Sequence, residues 1–197
     1  MIQFRRLVSI LLGLWLGANI VVDLAVTQNF STVDRFLASP GSVAASIQLN
    51  KIGRADAREI LRRNAAEENN VLFDNFEIAE AFLGAILFLL LLFGDRPQIS
   101  MLAMTFLMLA IVLTQHFALS PQIAAMGRNI AALPKESAAV KKFWMFHGFY
   151  SGSELLKIGI GIAFAARLIF RNKQDPDMFK KQYEASRKAS ATAKKAG

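Results

Sequence analysis

The chain has 197 residues, 54% of them hydrophobic and 19% charged, with a formal net charge of +8 and a mean hydropathy of +0.35. That balance is too apolar for an ordinary soluble domain. The absence of cysteine excludes disulfides, thiolate metal sites, iron–sulfur clusters, covalently attached c-type haem and thiol catalysis together.

The apolar residues collect in four blocks, 7–26, 76–93, 99–119 and 143–170, each near or above the ~18 residues needed to cross a hydrocarbon core. The expected fold is all-α. Residues 1–172 form a polytopic membrane protein, an antiparallel bundle of four transmembrane helices with a surface helix in the first loop, and residues 173–197 form a basic cytoplasmic tail. The first block, Arg5 and Arg6 followed by LVSILLGLWLGANIVV, has the charged and apolar regions of a signal peptide. No A-x-A cleavage site follows, and Asp23 and the later blocks suit a retained anchor better.

In the first loop, RADAREILRRNAAEENN has helix-forming composition, a Glu59 to Arg63 i,i+4 pair and a polar stop at Asn69 and Asn70. A tight GDRPQ turn joins the second and third blocks. After the third, Ser120 and Pro121 can cap and start a helix with Ile123, Met126, Ile130 and Leu133 on one face, resting on the membrane or covering the bundle mouth. Gly13 and Gly17 in the first span, and Gly148, Gly152, Gly159 and Gly161 in the fourth, include two G-x-x-x-G spacings, 13/17 and 148/152, that allow close helix approach.

Basic residues set the orientation. Arg5, Arg6, Arg96 and the tail lie on one side, expected to be cytoplasmic and to place both termini there in a bacterial inner membrane. Arg35, Lys51, Arg54, Arg58, Arg62, Arg63 and the basic residues of the last loop pull the other way. The segment 171–197 holds eight Lys/Arg against three Asp/Glu. Directly after a span, that composition points to anionic lipid headgroups and not to nucleic acid.

This threading brings polar residues of four segments into one leaflet: Asn19 and Asp23, Glu77 and Glu80, Gln115 and His116, and His147, Ser151 and Glu154. His147 and Glu154 are i,i+7 and share a face, with Lys157 one turn deeper. The candidate cation or proton cluster is His116, His147, Glu80, Glu154 and Asp23. Each member also has a plainer reading: Asp74 and Glu77 have capping-box spacing, Glu154 and Lys157 can neutralise each other, and both histidines suit a membrane interface. Met101, Met104 and Met108 form a stripe whose ordinary role is packing.

Three stretches, LGLWLGANIVVDLAV, LSPQIAAMGRNI and FWMFHGFYSGSELLKIG, resemble the transmembrane-protein-205-like family of four-span membrane proteins over roughly residues 4 to 170. Trp15, Gly17, Pro121, His147 and Gly148 match its patterns. The resemblance implies a four-span bundle but carries no catalytic or ligand role. Many relatives have a polar, uncharged residue at the position of Glu154, so a charge-based mechanism would be particular to this chain.

Three functions follow. One is a non-enzymatic module whose polar cluster binds a proton or a cation, including a transition metal. Another is a redox protein holding haem b between His116 and His147. The last is a structural or assembly subunit, packed against other membrane subunits, whose polar residues serve helix packing. No G-x-S-x-G, H-E-x-x-H or Walker pattern supports an enzyme.

Overall fold

The computed structural model describes residues 2–94, 99–128, 130, 133–170 and 184. The basic tail apart from Glu184, and the GDRPQ turn beyond Gly94, lie outside these. The described residues are helical in the order α1 (Ile2–Ala38), α2 (Val43–Ile52), α3 (Arg54–Leu92), α4 (Ile99–Thr114), a π-helical turn (Gln115–Leu119), α5 (Ser120–Gly127) and α6 (Ala138–Phe170), with no strand among them.

Sequence spacing dictates how the long helices meet. Buried or half-buried positions recur at alternating steps of four and three: Val8, Leu12, Trp15 and Asn19 on α1; Glu77, Glu80, Gly84, Leu87 and Leu91 on α3; Met101, Thr105, Met108 and Val112 on α4; Tyr150, Glu154, Lys157, Gly161, Phe164 and Leu168 on α6. A mean step near 3.5 keeps one seam facing its neighbours, as in left-handed helical bundles. α1 packs on α3, α3 on α4, α4 on α6 and α6 back on α1, closing a four-helix ring. Its core is Val8, Leu12, Trp15, Leu87, Leu91, Met101, Met108, Val112, Phe164 and Leu168.

Three helices are long and apolar enough to cross a membrane by length and composition: Gln3–Ala38, Arg54–Leu92 and Ile99–Gly127. The helix α6 is 33 residues long, but Glu154 and Lys157 interrupt its apolar run. Outward-facing Leu14, Val21, Phe82, Ile86, Phe106, Leu155 and Ile162 are strongly exposed, the arrangement expected where lipid is the solvent.

The first loop differs from expectation. The segment expected as a separate surface helix is the N-terminal half of α3, which runs unbroken for 39 residues. No glycine or proline interrupts residues 54–83, and Asn69 does not stop the helix because its side chain turns to α1. Asn29 Nδ2 donates to Asn69 Oδ1 at 2.5 Å and Asn69 Nδ2 to the Val26 carbonyl at 3.4 Å. The capping-box reading of Asp74 and Glu77 is overturned for the same reason, since no helix begins there.

The helix α1 likewise continues past residue 26, so the ends of α1 and α3, with α2 between them, form a helical hairpin. Ser42 caps α2, accepting from the Ala45 amide at 3.1 Å, and Gly53 joins α2 to α3 at φ 91°, where a side chain would be strained. The hairpin has a small core of Val33, Leu37, Leu49, Ala57 and Ala65. Arg58 and Arg62 both donate to Asp34, at 2.8 and 3.0 Å, and hold its carboxyl below the usual carboxylate range.

Of the glycines expected to allow close packing, Gly161 alone does so. A Cβ at Gly13, Gly17, Gly148, Gly152 or Gly159 would meet nothing within 4 Å, so these line the outside of α1 and α6. The close approaches are at Gly84, where a Cβ would lie 2.8 Å from the Trp15 ring, at Gly161 against Leu16, and at Gly94 against Phe4. Ser120 also departs from its expected capping role. The helix runs through it from the π turn, and α5 ends at Gly127, so Ile130 and Leu133 do not extend its apolar stripe.

Candidate functional site

Four turns of α3 and α6 carry the polar interior. On α3, Glu77 and Glu80 are one turn apart and both fully buried; on α6, Tyr150, Glu154 and Lys157 occupy successive positions of the buried seam. The two helices stand across the ring from each other and run in the same direction, so Glu77 meets Tyr150 and Glu80 meets Lys157 in the same order along both. Two polar assemblies result.

The deeper assembly centres on Lys157. Its ammonium donates to Glu80 Oε1 and Oε2 at 2.8 and 2.7 Å and to Glu154 Oε1 at 2.9 Å, which uses all three of its N–H groups. Glu80 Oε1 also accepts from the indole of Trp15 at 2.6 Å and from Asn19 Nδ2 at 2.8 Å. Glu80 is thus satisfied at both oxygens. Glu154 is not: its Oε2 is buried and has no hydrogen-bond partner among the described residues. Asp23, exposed one turn along α1 from Asn19, lies in electrostatic range of Lys157, Glu80 and Glu154.

The second assembly surrounds Glu77. Its Oε1 accepts from Tyr150 Oη at 2.9 Å and Ser120 Oγ at 2.5 Å, and its Oε2 faces His116 Nδ1 at 3.2 Å. The same imidazole nitrogen stands 3.5 Å from Asp74 Oδ1. The π turn makes this possible, because widening the helix by a residue at 115–119 turns Gln115 into the core while His116 and Ser120 both reach Glu77. Such turns recur at functional sites. Gln115 Nε2 donates to Ser153 Oγ at 2.7 Å, and its buried Oε1 has no partner among the described residues.

The five residues expected to form one cluster are therefore distributed over three places. Glu80 and Glu154 meet through Lys157, with Asp23 at their edge. His116 belongs to Glu77 and Asp74. His147 is exposed, its ring 5.9 Å from that of Phe143 in a stacked arrangement and edge-on to Trp144. The i,i+7 spacing from His147 to Glu154 did not carry both inward, because the covered face of α6 runs from Val140 through the half-buried Phe143 and Phe146 to Tyr150 and leaves His147 beside it. Among the described residues no group of three His, Asp or Glu side chains is disposed to hold a metal ion.

Sequence reasoning gave Tyr150, Ser120 and Ser153 no site role. Tyr150 could have been found from its place one turn before Glu154 on the α6 seam, whereas Ser120 and Ser153 depend on the π turn, which no residue pattern announces. No family model matches this chain, and no curated protein or solved structure is significantly similar to it.

Proposed function

We propose that this chain is a four-span membrane module that takes up and releases a proton at Glu154. The observation that carries it is the buried, undonated Oε2 of Glu154 beside a lysine whose three donors are already spent. With all three groups ionised, Glu80, Glu154 and Lys157 sum to one negative charge in a low-dielectric interior. A proton on Glu154 cancels it. Leaving the charge unpaired costs several kcal/mol, by an order-of-magnitude estimate. A proton suits this geometry better than a metal ion, since Glu80 is engaged by Lys157, Trp15 and Asn19 and His147 stands elsewhere.

The helix α6 serves as the fourth span in this reading, because Glu154 and Lys157 neutralise each other inside the ring instead of facing lipid. The basic residues near the N-terminus and in the C-terminal segment favour a threading with both termini in the cytoplasm of a bacterial inner membrane, and that segment's composition suits anionic lipid.

Infrared spectroscopy of the purified protein in lipid tests this. The C=O stretch of a protonated carboxyl should be present at low pH, fade as pH rises, persist in Glu77→Gln and vanish in Glu154→Gln. A spectrum without that band at any pH, or one unchanged in Glu154→Gln, would leave helix packing as the better account.

A further inference from the structure

The Oε2 of Glu154 is buried, so a proton that it exchanges needs a route. We infer that Asp74, His116 and Glu77 form a proton port from the aqueous surface to the interior, with Tyr150 as the link to Glu154. This rests on the proton-exchange reading of Glu154.

Exposure falls along the series: the Asp74 side chain is 65% exposed, His116 21% and Glu77 0%. His116 Nδ1 stands between the two carboxylates, 3.5 Å from Asp74 and 3.2 Å from Glu77. An imidazole in that position is suited to pick up a proton at the surface and pass it inward. The Nδ1–H bond of the imidazolium breaks and an O–H bond forms on Glu77 Oε2, leaving neutral imidazole, which regains a proton from water by way of Asp74. The Tyr150 hydroxyl donates to Glu77 Oε1 at 2.9 Å; to pass a proton on it turns from Glu77 towards Glu154, its O–H bond breaks as an O–H bond forms on Glu154 Oε2, and it regains a proton from the Glu77 carboxyl, whose own O–H bond breaks. Glu154 is the next residue of the same α6 seam, and its bare Oε2 is the acceptor.

The charged and titratable groups facing this route are few. The helix α3 supplies Asp74, Glu77 and Glu80, α6 supplies Tyr150, Glu154 and Lys157, and α1 supplies Asp23. The helices α4 and α5 present no ionisable side chain. Nothing along α4 competes with His116 for the proton. Asp23 is the one other exposed carboxylate near Glu154, so it marks the alternative entrance.

A pH jump followed by time-resolved infrared of the Glu154 band separates these possibilities in the full-length protein in lipid. His116→Gln keeps a hydrogen-bonding amide near Glu77 but cannot carry a proton, and Tyr150→Phe keeps the ring but removes the hydroxyl. Both should slow the response of the band by roughly 10²-fold while leaving its final amplitude unchanged. Asp74→Asn should slow it less, and Asp23→Asn should leave it unaltered. A wild-type rate in Tyr150→Phe and Asp74→Asn overturns the port even where His116→Gln does not fold, and slowing confined to Asp23→Asn does the same. Absence of the Glu154 band in the wild-type protein would instead overturn the proton-exchange reading.

Discussion

Lys157 shows why hydropathy alone misjudges α6. Its ammonium and the carboxylates of Glu80 and Glu154 are charges when counted along the chain, yet their contacts remove most of that charge from the surroundings. Burying them is costly, and the geometry offsets the cost only while all partners are present. Lys157→Met alone leaves two carboxylates facing each other and should destabilise the bundle by about 3–5 kcal/mol. Adding Glu80→Gln should recover most of that loss, because glutamine still accepts from Trp15 and Asn19 while carrying no charge. Denaturation in detergent measures both; a Lys157→Met protein as stable as the wild type would show that the three charges do not depend on one another. Glu154, Lys157 and Glu80 were legible as a polar group at similar depth. That Lys157 is the centre was not, because sequence gives spacing along each helix but not the register between helices.

At the scale of elements, composition and periodicity located every long helix but misplaced several ends. The apolar blocks mark where lipid would be; a helix stops only where a glycine, a proline or a competing cap stops it. Between 54 and 83 none does, so α3 continues well outside its apolar block. The glycine spacings misled for a related reason: G-x-x-x-G describes a smooth face without saying which face meets a neighbour. The hairpin beyond the apolar blocks is held by its small core and by the Asp34 clasp. Because Arg58 and Arg62 lower the folded-state pKa of Asp34 below its ordinary 3.8, the clasp contributes fully above that value and is lost as pH falls through the lower folded-state value. Asp34 is exposed, so the contribution is small and salt-sensitive. Hydrogen exchange of residues 30–65 should rise on acidification past that point more than in Asp34→Asn, where the clasp is already absent. Equal acid sensitivity in both proteins would show that another group fastens the hairpin.

Considered whole, the molecule is taller than a bilayer core on one side. The helices α1 and α3, with 37 and 39 residues, reach ~55–58 Å at ~1.5 Å per residue, against a ~30 Å hydrocarbon core. Packing fixes which ends overhang. The polar assemblies of Glu77 and Glu80 lie where the apolar seam of α3 begins, and the hairpin tip at α2 lies at the far end of its polar half. With the N-terminus cytoplasmic, α2 stands outside the cell and the Asp74 entrance faces the same side. The native chain has no cysteine, so single cysteines report position without background. Ala44→Cys on exposed α2 should react with a membrane-impermeant maleimide added to intact cells, and Phe82→Cys on the outward face of α3 should stay unreactive in lipid. Gly197→Cys should react only after the membrane is opened. Labelling of residues 44 and 197 from the same side would mean that α6 does not cross, since an odd number of spans puts the C-terminus beside the hairpin. Reaction of residue 44 only in opened cells would invert the threading, so that the port would draw its proton from the cytoplasm.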